Sequence, residues 1–195
     1  MKTDIILAGV GGQGILSIAT VIGSAALEDN LHLKQAEVHG MSQRGGDVQS
    51  NLRISSEKIA SDLIPLGGAD IIISLEPMEA LRYVTYLSKD GWIVTNTSPF
   101  VNIPDYPDME AIEKELASFP NVVAFDMDAV AKEVATPRAS NMVLLGASTP
   151  FLGIPAEKIE EGIRTIFGKK GEAIVESNLA AFRAGYEQAQ KAVKK

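Results

Sequence analysis

The first chemical signal in the sequence is the run Gly9-Val10-Gly11-Gly12-Gln13-Gly14. Gly9, Gly11 and Gly14 fit the G-x-G-x-x-G spacing that lets a backbone approach a phosphate, with Gly12 and Gln13 completing the turn. A short apolar run, Ile5 to Ala8, precedes it, and Ile15, Ile18, Ile22 and Ala25 come after it at helical spacing. This predicts a buried strand, a tight turn and a helix start whose free N–H groups and positive dipole end would face an anion. The same glycines also suit a bare β-to-α turn that only lets strand and helix pack closely. Both readings stand open at this point.

The second signal is Glu37-Val38-His39-Gly40-Met41-Ser42-Gln43-Arg44-Gly45-Gly46. Arg44 offers a fixed fork of donors for phosphate or carboxylate, and Gly45 and Gly46 allow close backbone approach. His39 can donate, accept or titrate near neutrality. Met41 and Gln43 lie in the same loop and join the candidate set. The bland alternative pairs Arg44 with Glu37 or Asp47 on the surface and leaves His39 satisfying a local backbone group. Glu37 stands 23 positions past Gly14, close to where dinucleotide folds keep a ribose-binding acid, so NAD is a fair first guess. The residues after Glu37 do not resemble the apolar helix entry of such a fold.

Other chemistry is missing. There is no G-x-S-x-G elbow, no Walker lysine after the glycines and no H-E-x-x-H. Of the paired carboxylates, Glu76/Glu79 suit the support of a helix start and Asp126/Asp128 the capping of one, better than acid–base work. No cysteine is present, which excludes disulfides, cysteine-ligated zinc and thiolate-bound iron–sulfur clusters on this chain; two histidines are too few for a histidine-rich metal centre. The formal net charge of −7 and the lack of a long basic run before the last residues argue against nucleic acid and anionic membranes as partners. The Met-Lys-Thr-Asp start runs straight into the first strand with no room for a signal peptide, and no apolar segment is long enough to span a bilayer. A soluble, cytoplasmic protein is the expectation.

The elements that must position these residues can be read from periodicity. Strands are expected over 33–38, 48–54, 70–75, 92–97 and 121–126, with Val48, Ser50, Leu52 and Ile54 on one face and the 70–75 run covered on both. Helices are expected after the glycines, from Pro77 with Met78, Leu81 and Val84 on one face, from Asp108 to about Ser118, and through most of the chain beyond Asp128. The closing helix, 172–194, carries Val175, Leu179, Phe182, Tyr186, Ala189 and Val193 as a stripe; packing on the protein's own sheet is expected, a partner helix being the alternative. The fold class is therefore α/β: a Rossmann-like three-layer sandwich with a mostly parallel sheet and a helical C-terminal region, one domain over 1–195. Loops 9–14, 39–47 and 97–103 should gather at the edge where the strands end.

Taken together, Gly9 to Gly14, Glu37 to Gly46 and Asn141-Met142-Val143-Leu144-Leu145-Gly146-Ala147 resemble the gamma-type domain of the 2-oxoacid:ferredoxin oxidoreductases, above all the small beta subunits of the indolepyruvate enzymes. The resemblance covers nearly the whole chain. It implies a complex that oxidatively decarboxylates a 2-oxoacid, passes the acyl group to coenzyme A and reduces ferredoxin. Thiamine diphosphate, magnesium and iron–sulfur clusters would be carried by a larger alpha subunit, for the G-D-G…N diphosphate motif and the cysteines have no counterpart here. It further implies that the first two motifs touch the partner subunit or the phosphates of coenzyme A. Asn141 would be a ligand contact or a buried polar anchor, with Arg138 a basic candidate beside it. The isolated chain would be inactive, with a homodimer one state open to it. Two alternatives remain at this stage: a stand-alone NAD(P)-dependent dehydrogenase and a nucleotide-sensing module.

Overall fold

The computed structural model describes residues 1–39 and 45–193. Strand β1 (Lys2–Val10) has partners on both sides, and the other strands are placed by it. With β2 (His32–His39), β3 (Asp47–Ser55), β4 (Ala69–Ser74), β5 (Leu87–Asn96) and β6 (Val122–Phe125), it forms a sheet in the order β2-β3-β1-β4-β5-β6. The pairs β1/β4, β4/β5 and β5/β6 are parallel, as the alternation of strands and helices predicts. The half beyond β1 differs. β2 and β3 form an antiparallel hairpin, and β3 lies antiparallel to β1 along the whole strand, so it separates β1 from β2.

Alternation along the strands feeds two cores. Ile5 and Leu7 of β1, with Ile71 and Ile73 of β4, face one core. It is completed by α1 (Ile15–Glu28), α4 (Met127–Val134), α5 (Ser140–Ser148), α6 (Ala156–Phe167) and α7 (Glu172–Val193). Ile6, Ala8 and Ile72 face the other, under α2 (Pro77–Arg82) and α3 (Met109–Ala117). The three layers and the double cover on β4 thus match the apolar pattern.

Three local departures have physical causes. β5 begins at Leu87 rather than Trp92, through polar Ser88-Lys89-Asp90, with a register shift against β4 between Ala69 and Ile71. A Cβ at Gly91 would stand 2.9 Å from the Ala69 carbonyl oxygen, so glycine is what lets the irregular strand close on its neighbour. α2 stops at Arg82, leaving Val84 in a separate 3₁₀ turn. α7 packs on α4, α5 and α6 rather than directly on the sheet, burying Val175, Leu179, Phe182 and Ala189 but leaving Val193 exposed. Its crossing with α5 is backbone to backbone. A Cβ on Gly146 would lie 1.9 Å from the Phe182 carbonyl oxygen, and one on Gly185 1.9 Å from that of Val143.

At the opposite end of β1 from the glycines, Asp4 is buried and takes a two-pronged contact from Arg53 at 2.7 and 2.9 Å, with Lys2 at 2.8 Å. Burial opposes ionisation of Asp4, yet the hydrogen bonds from Arg53 and Lys2 outweigh it and hold the carboxyl below its usual range. No helix among the described residues is long and apolar enough to cross a membrane.

Candidate functional site at the carboxyl edge of the sheet

β2 ends and β3 begins at the edge where β1, β4 and β5 end. Hydrogen bonds tie three loops together there. Gly11 N donates to Gly46 O at 2.8 Å, Gly45 N to Gly11 O at 3.3 Å, and Asn102 Nδ2 to Gly45 O at 2.6 Å. Gly45 and Gly46, the described end of the 39–47 loop, thus meet loops 9–14 and 97–103 as expected, brought there by β3 running antiparallel to β1.

Within the glycine turn, Gln13 folds back on the chain. Val10 N donates to Gln13 Oε1 at 2.8 Å, Gln13 N donates to Val10 O at 3.1 Å, and Gln13 Nε2 reaches Leu75 O at 3.3 Å. The side chain thereby locks the end of β1 to the end of β4. Gly12 and Gly14 have φ of 101° and 84°, a left-handed region that residues with a Cβ enter at a cost. Gly14 is the N-cap of α1, with no side-chain cap and no acidic residue in the first turn. The helix therefore presents its leading N–H groups and positive end with no protein acceptor supplied by a capping side chain.

Asn141, at the start of α5, donates from Nδ2 to Gly14 O at 3.3 Å, and a Cβ on Gly14 would sit 2.8 Å from that nitrogen. It is an anchor between helix and turn, and it also lines the cleft that opens there. That cleft, of about 440 Å³, is walled by Gly12, Gln13, Gly14, Asn96, Phe100, Asp128, Arg138, Ser140 and Asn141, among others. Its two charged residues are unlike. Asp128 accepts from Ser140 Oγ and, at 3.2 Å, from Asn96 Nδ2. Arg138 is exposed in the 3₁₀ turn Pro137–Ala139 and makes no ion pair among the described residues.

Beneath the edge lies an acid–tyrosine cluster that sequence reading did not assemble. Glu76, fully buried, caps α2 by accepting from Glu79 N at 2.8 Å, and also accepts from Phe100 N at 3.3 Å and from the Tyr106 hydroxyl. Glu79 is held by Arg82 at 2.7 and 3.0 Å. Burial pushes the Glu79 carboxyl above its usual range; Arg82 pulls it down, and neighbouring Asp47 adds to the rise. Tyr83 donates to Asp47 Oδ2 at 2.6 Å, and burial with this acceptor raises the phenol well above its ordinary value. The cluster thus grips the first residue of β3. Glu76 supports a helix start, as expected, and Asp126 caps α4 through Ala129 N at 2.9 Å.

The candidate residues divide accordingly. Gly12, Gln13, Gly14 and Asn141 line the cleft. Gly9, Gly11, Gly45 and Gly46 shape the turn, Gly9 standing where a Cβ would meet Gln13 Oε1 at 3.1 Å. His39 closes β2 opposite Val48, while Met41, Gln43 and Arg44 lie outside the described residues. Glu37 is on β2, one strand removed from β1 because β3 intervenes. A dinucleotide fold keeps its ribose-binding acid on the strand beside β1. The NAD guess loses its second element. Asn102 escaped sequence reading because an isolated loop asparagine gives no signal. No group of three or more His, Cys, Asp or Glu side chains among the described residues is arranged to hold a metal ion.

Comparison with known proteins gives concordant results. A family model described as pyruvate ferredoxin/flavodoxin oxidoreductase matches residues 4–188. The indolepyruvate oxidoreductase subunit IorB of Archaeoglobus fulgidus is 37% identical over 198 residues, covering 97% of this chain and 96% of that protein. The 2-oxoglutarate:ferredoxin oxidoreductase of Magnetococcus marinus, solved with 2-oxoglutarate, coenzyme A and succinyl-CoA bound, superposes with a TM-score of 0.76 at 26% identity. That match takes in 97% of this chain but only 31% of the longer one. The pyruvate oxidoreductase subunit PORC of Thermotoga maritima shares the fold, with a TM-score of 0.74 at 24% identity over 95% of this chain and 96% of that one.

Proposed function

The chain belongs to the pyruvate ferredoxin/flavodoxin oxidoreductase family, and from that premise we propose that it is the small subunit of an aryl 2-oxoacid ferredoxin oxidoreductase, with indolepyruvate the leading substrate. The complex oxidatively decarboxylates the 2-oxoacid, forms the acyl-CoA and reduces ferredoxin. The observation that carries this reading is the end-to-end match to the indolepyruvate oxidoreductase subunit at 37% identity. The donor set agrees. Without a cysteine the chain supplies no thiolate for an iron–sulfur cluster, and without a G-D-G…N motif it lacks that family's metal–diphosphate signature, so clusters and thiamine diphosphate are assigned to a larger partner subunit. Thiamine diphosphate supplies the carbanion stabilisation on which such decarboxylations depend.

The residues of this chain have a different task. The uncapped start of α1, the left-handed glycines and Arg138, which makes no ion pair among the described residues, fit an anionic group of coenzyme A at the carboxyl edge, the glycines admitting it and the N–H groups donating to it. Gln13 and Asn141 keep that turn in shape. Arg44, in the neighbouring loop, is a further candidate by its sequence position. The dehydrogenase alternative gains nothing from the sheet order, and no observation favours a nucleotide sensor.

The test is indolepyruvate-dependent reduction of a viologen dye with coenzyme A and thiamine diphosphate present. It is run on this chain alone and then on the complex formed by co-expression with a cysteine-rich partner. Activity in the complex alone is the expected result. A chain that binds NAD(H) and reduces a 2-oxoacid unaided would overturn the proposal.

A further inference from the structure

A second cleft, of about 450 Å³, opens beside the first, between the 3₁₀ turn Pro137–Ala139, the end of α6 and the first turns of α7. It shares Arg138 and Asn141 with the glycine-turn cleft, so the two are joined along one wall. Their chemistry differs. The first contains a carboxylate, Asp128; the lining of the second contains no acidic residue. Its charged groups are Arg138 and Lys170, neither of which makes an ion pair among the described residues. Lys170 Nζ stands 5.2 Å from the centroid of the Phe167 ring, which keeps the ammonium above an apolar wall.

On the same wall, Asn178 of α7 has its amide Nδ2 buried without a hydrogen-bond partner. Buried donors are almost always satisfied, so an orphan beside a cleft marks a place for an acceptor. Phe167 and Ile174 supply apolar surface, Ile174 with 43% of its area exposed. Two cations on one wall with no ion pair among the described residues are also unexpected in a chain of net charge −7.

We infer that this second cleft binds a small organic anion, a carboxylate or phosphate head between Arg138 and Lys170 with its apolar body against Phe167 and Ile174. The head accepts from the guanidinium fork and the ammonium, and the unpartnered Asn178 amide is a further donor on the same wall. The site shares Arg138 with the glycine-turn reading but adds Lys170, Phe167, Ile174 and Asn178, which that reading does not need, so Lys170 and Asn178 test it separately from the proposed function.

The probes are phenylacetate, a carboxylate on an aromatic body, and inorganic phosphate, a head without one. Each is titrated into the full chain labelled with 15N, with the Asn178 side-chain amide and the backbone of 170–178 monitored by NMR. Saturable shifts there with phenylacetate, weakened about tenfold by Lys170→Gln and by Asn178→Asp, are the expected result. Equal saturation by phosphate would overturn the role given to Phe167 and Ile174, and with it the organic nature of the ligand. Shifts confined to Gly12–Ile15, shifts that do not saturate in the millimolar range, or binding untouched by Lys170→Gln would overturn the inference. So would signals at 170–178 that move only when the partner subunit is added, since the cleft would then be a protein contact.

Discussion

Glycine builds two regions of this molecule in opposite ways. Where α5 crosses α7, Gly146 and Gly185 have ordinary helical backbones and are needed because each faces the other helix's carbonyl oxygen with no room for a Cβ. At the end of β1, Gly12 and Gly14 are needed for their left-handed backbones, and Gly12 has nothing within 4 Å of where a Cβ would be. The helical pair is needed for close approach and the turn pair for backbone conformation, with open space at Gly12 and the Asn141 amide crowding Gly14. The helical pair belongs to the core, whose dry contacts stabilise the layer behind the sheet. The turn belongs to the edge, whose open donors are available to a ligand. Stability and function should therefore respond to different glycines.

The largest expected effect is at the crossing. Gly146→Val forces the two backbones apart and should cost more than about 3 kcal/mol, read as a loss of urea stability or of folded protein. A variant as stable as the parent would show that the helices are not in backbone contact.

The next effect is at the foot of β1, where an ion pair and not a glycine fixes the strand. Asp4→Asn should cost about 2 kcal/mol at neutral pH, between the values for exposed and buried pairs. Because the folded-state carboxyl is held below its unfolded value, its contribution is present above the usual carboxylate range and is lost as pH falls through the lowered folded value. The gap between parent and variant should accordingly close in acid. A gap that stays constant down to strong acid would remove Asp4 from the account.

At the turn, Gly14→Ala meets both a left-handed backbone and the Asn141 amide, and should cost about 2 kcal/mol. Gly12→Ala meets the backbone term alone, with an expected cost of about 1 kcal/mol. Thermal denaturation of the two variants side by side checks the order. A Gly12 variant more damaged than the Gly14 variant would contradict the open space assigned to it.

How far these regions were legible in sequence depends on how local their causes are. The strand, turn and start of α1 lie within one window, and glycine spacing with flanking periodicity is enough to place them. The interposed β3 is not local. Val48, Leu52 and Ile54 announce a strand but carry no mark of its direction or of which neighbour it takes. The polar opening of β5 is hidden in sequence because its pairing depends on an irregularity in which Gly91 comes close to the Ala69 carbonyl oxygen. Gly146 and Gly185 read as indifferent helix glycines until the crossing sets them against carbonyls 36 and 42 residues away in sequence. Asp47, Glu79 and Tyr83 are likewise unremarkable singly and meaningful only as a buried group. Asn141 was legible as a residue of interest, but only contact with Gly14 assigns it as an anchor.

The measurement that tests the division most directly is the KM for coenzyme A in the reconstituted complex carrying Gly12→Ala. The account predicts a rise of about tenfold, with the KM for the 2-oxoacid nearly unchanged and the complex intact. Unchanged KM and kcat in an intact complex would contradict it, and would leave the glycine turn as a packing device alone.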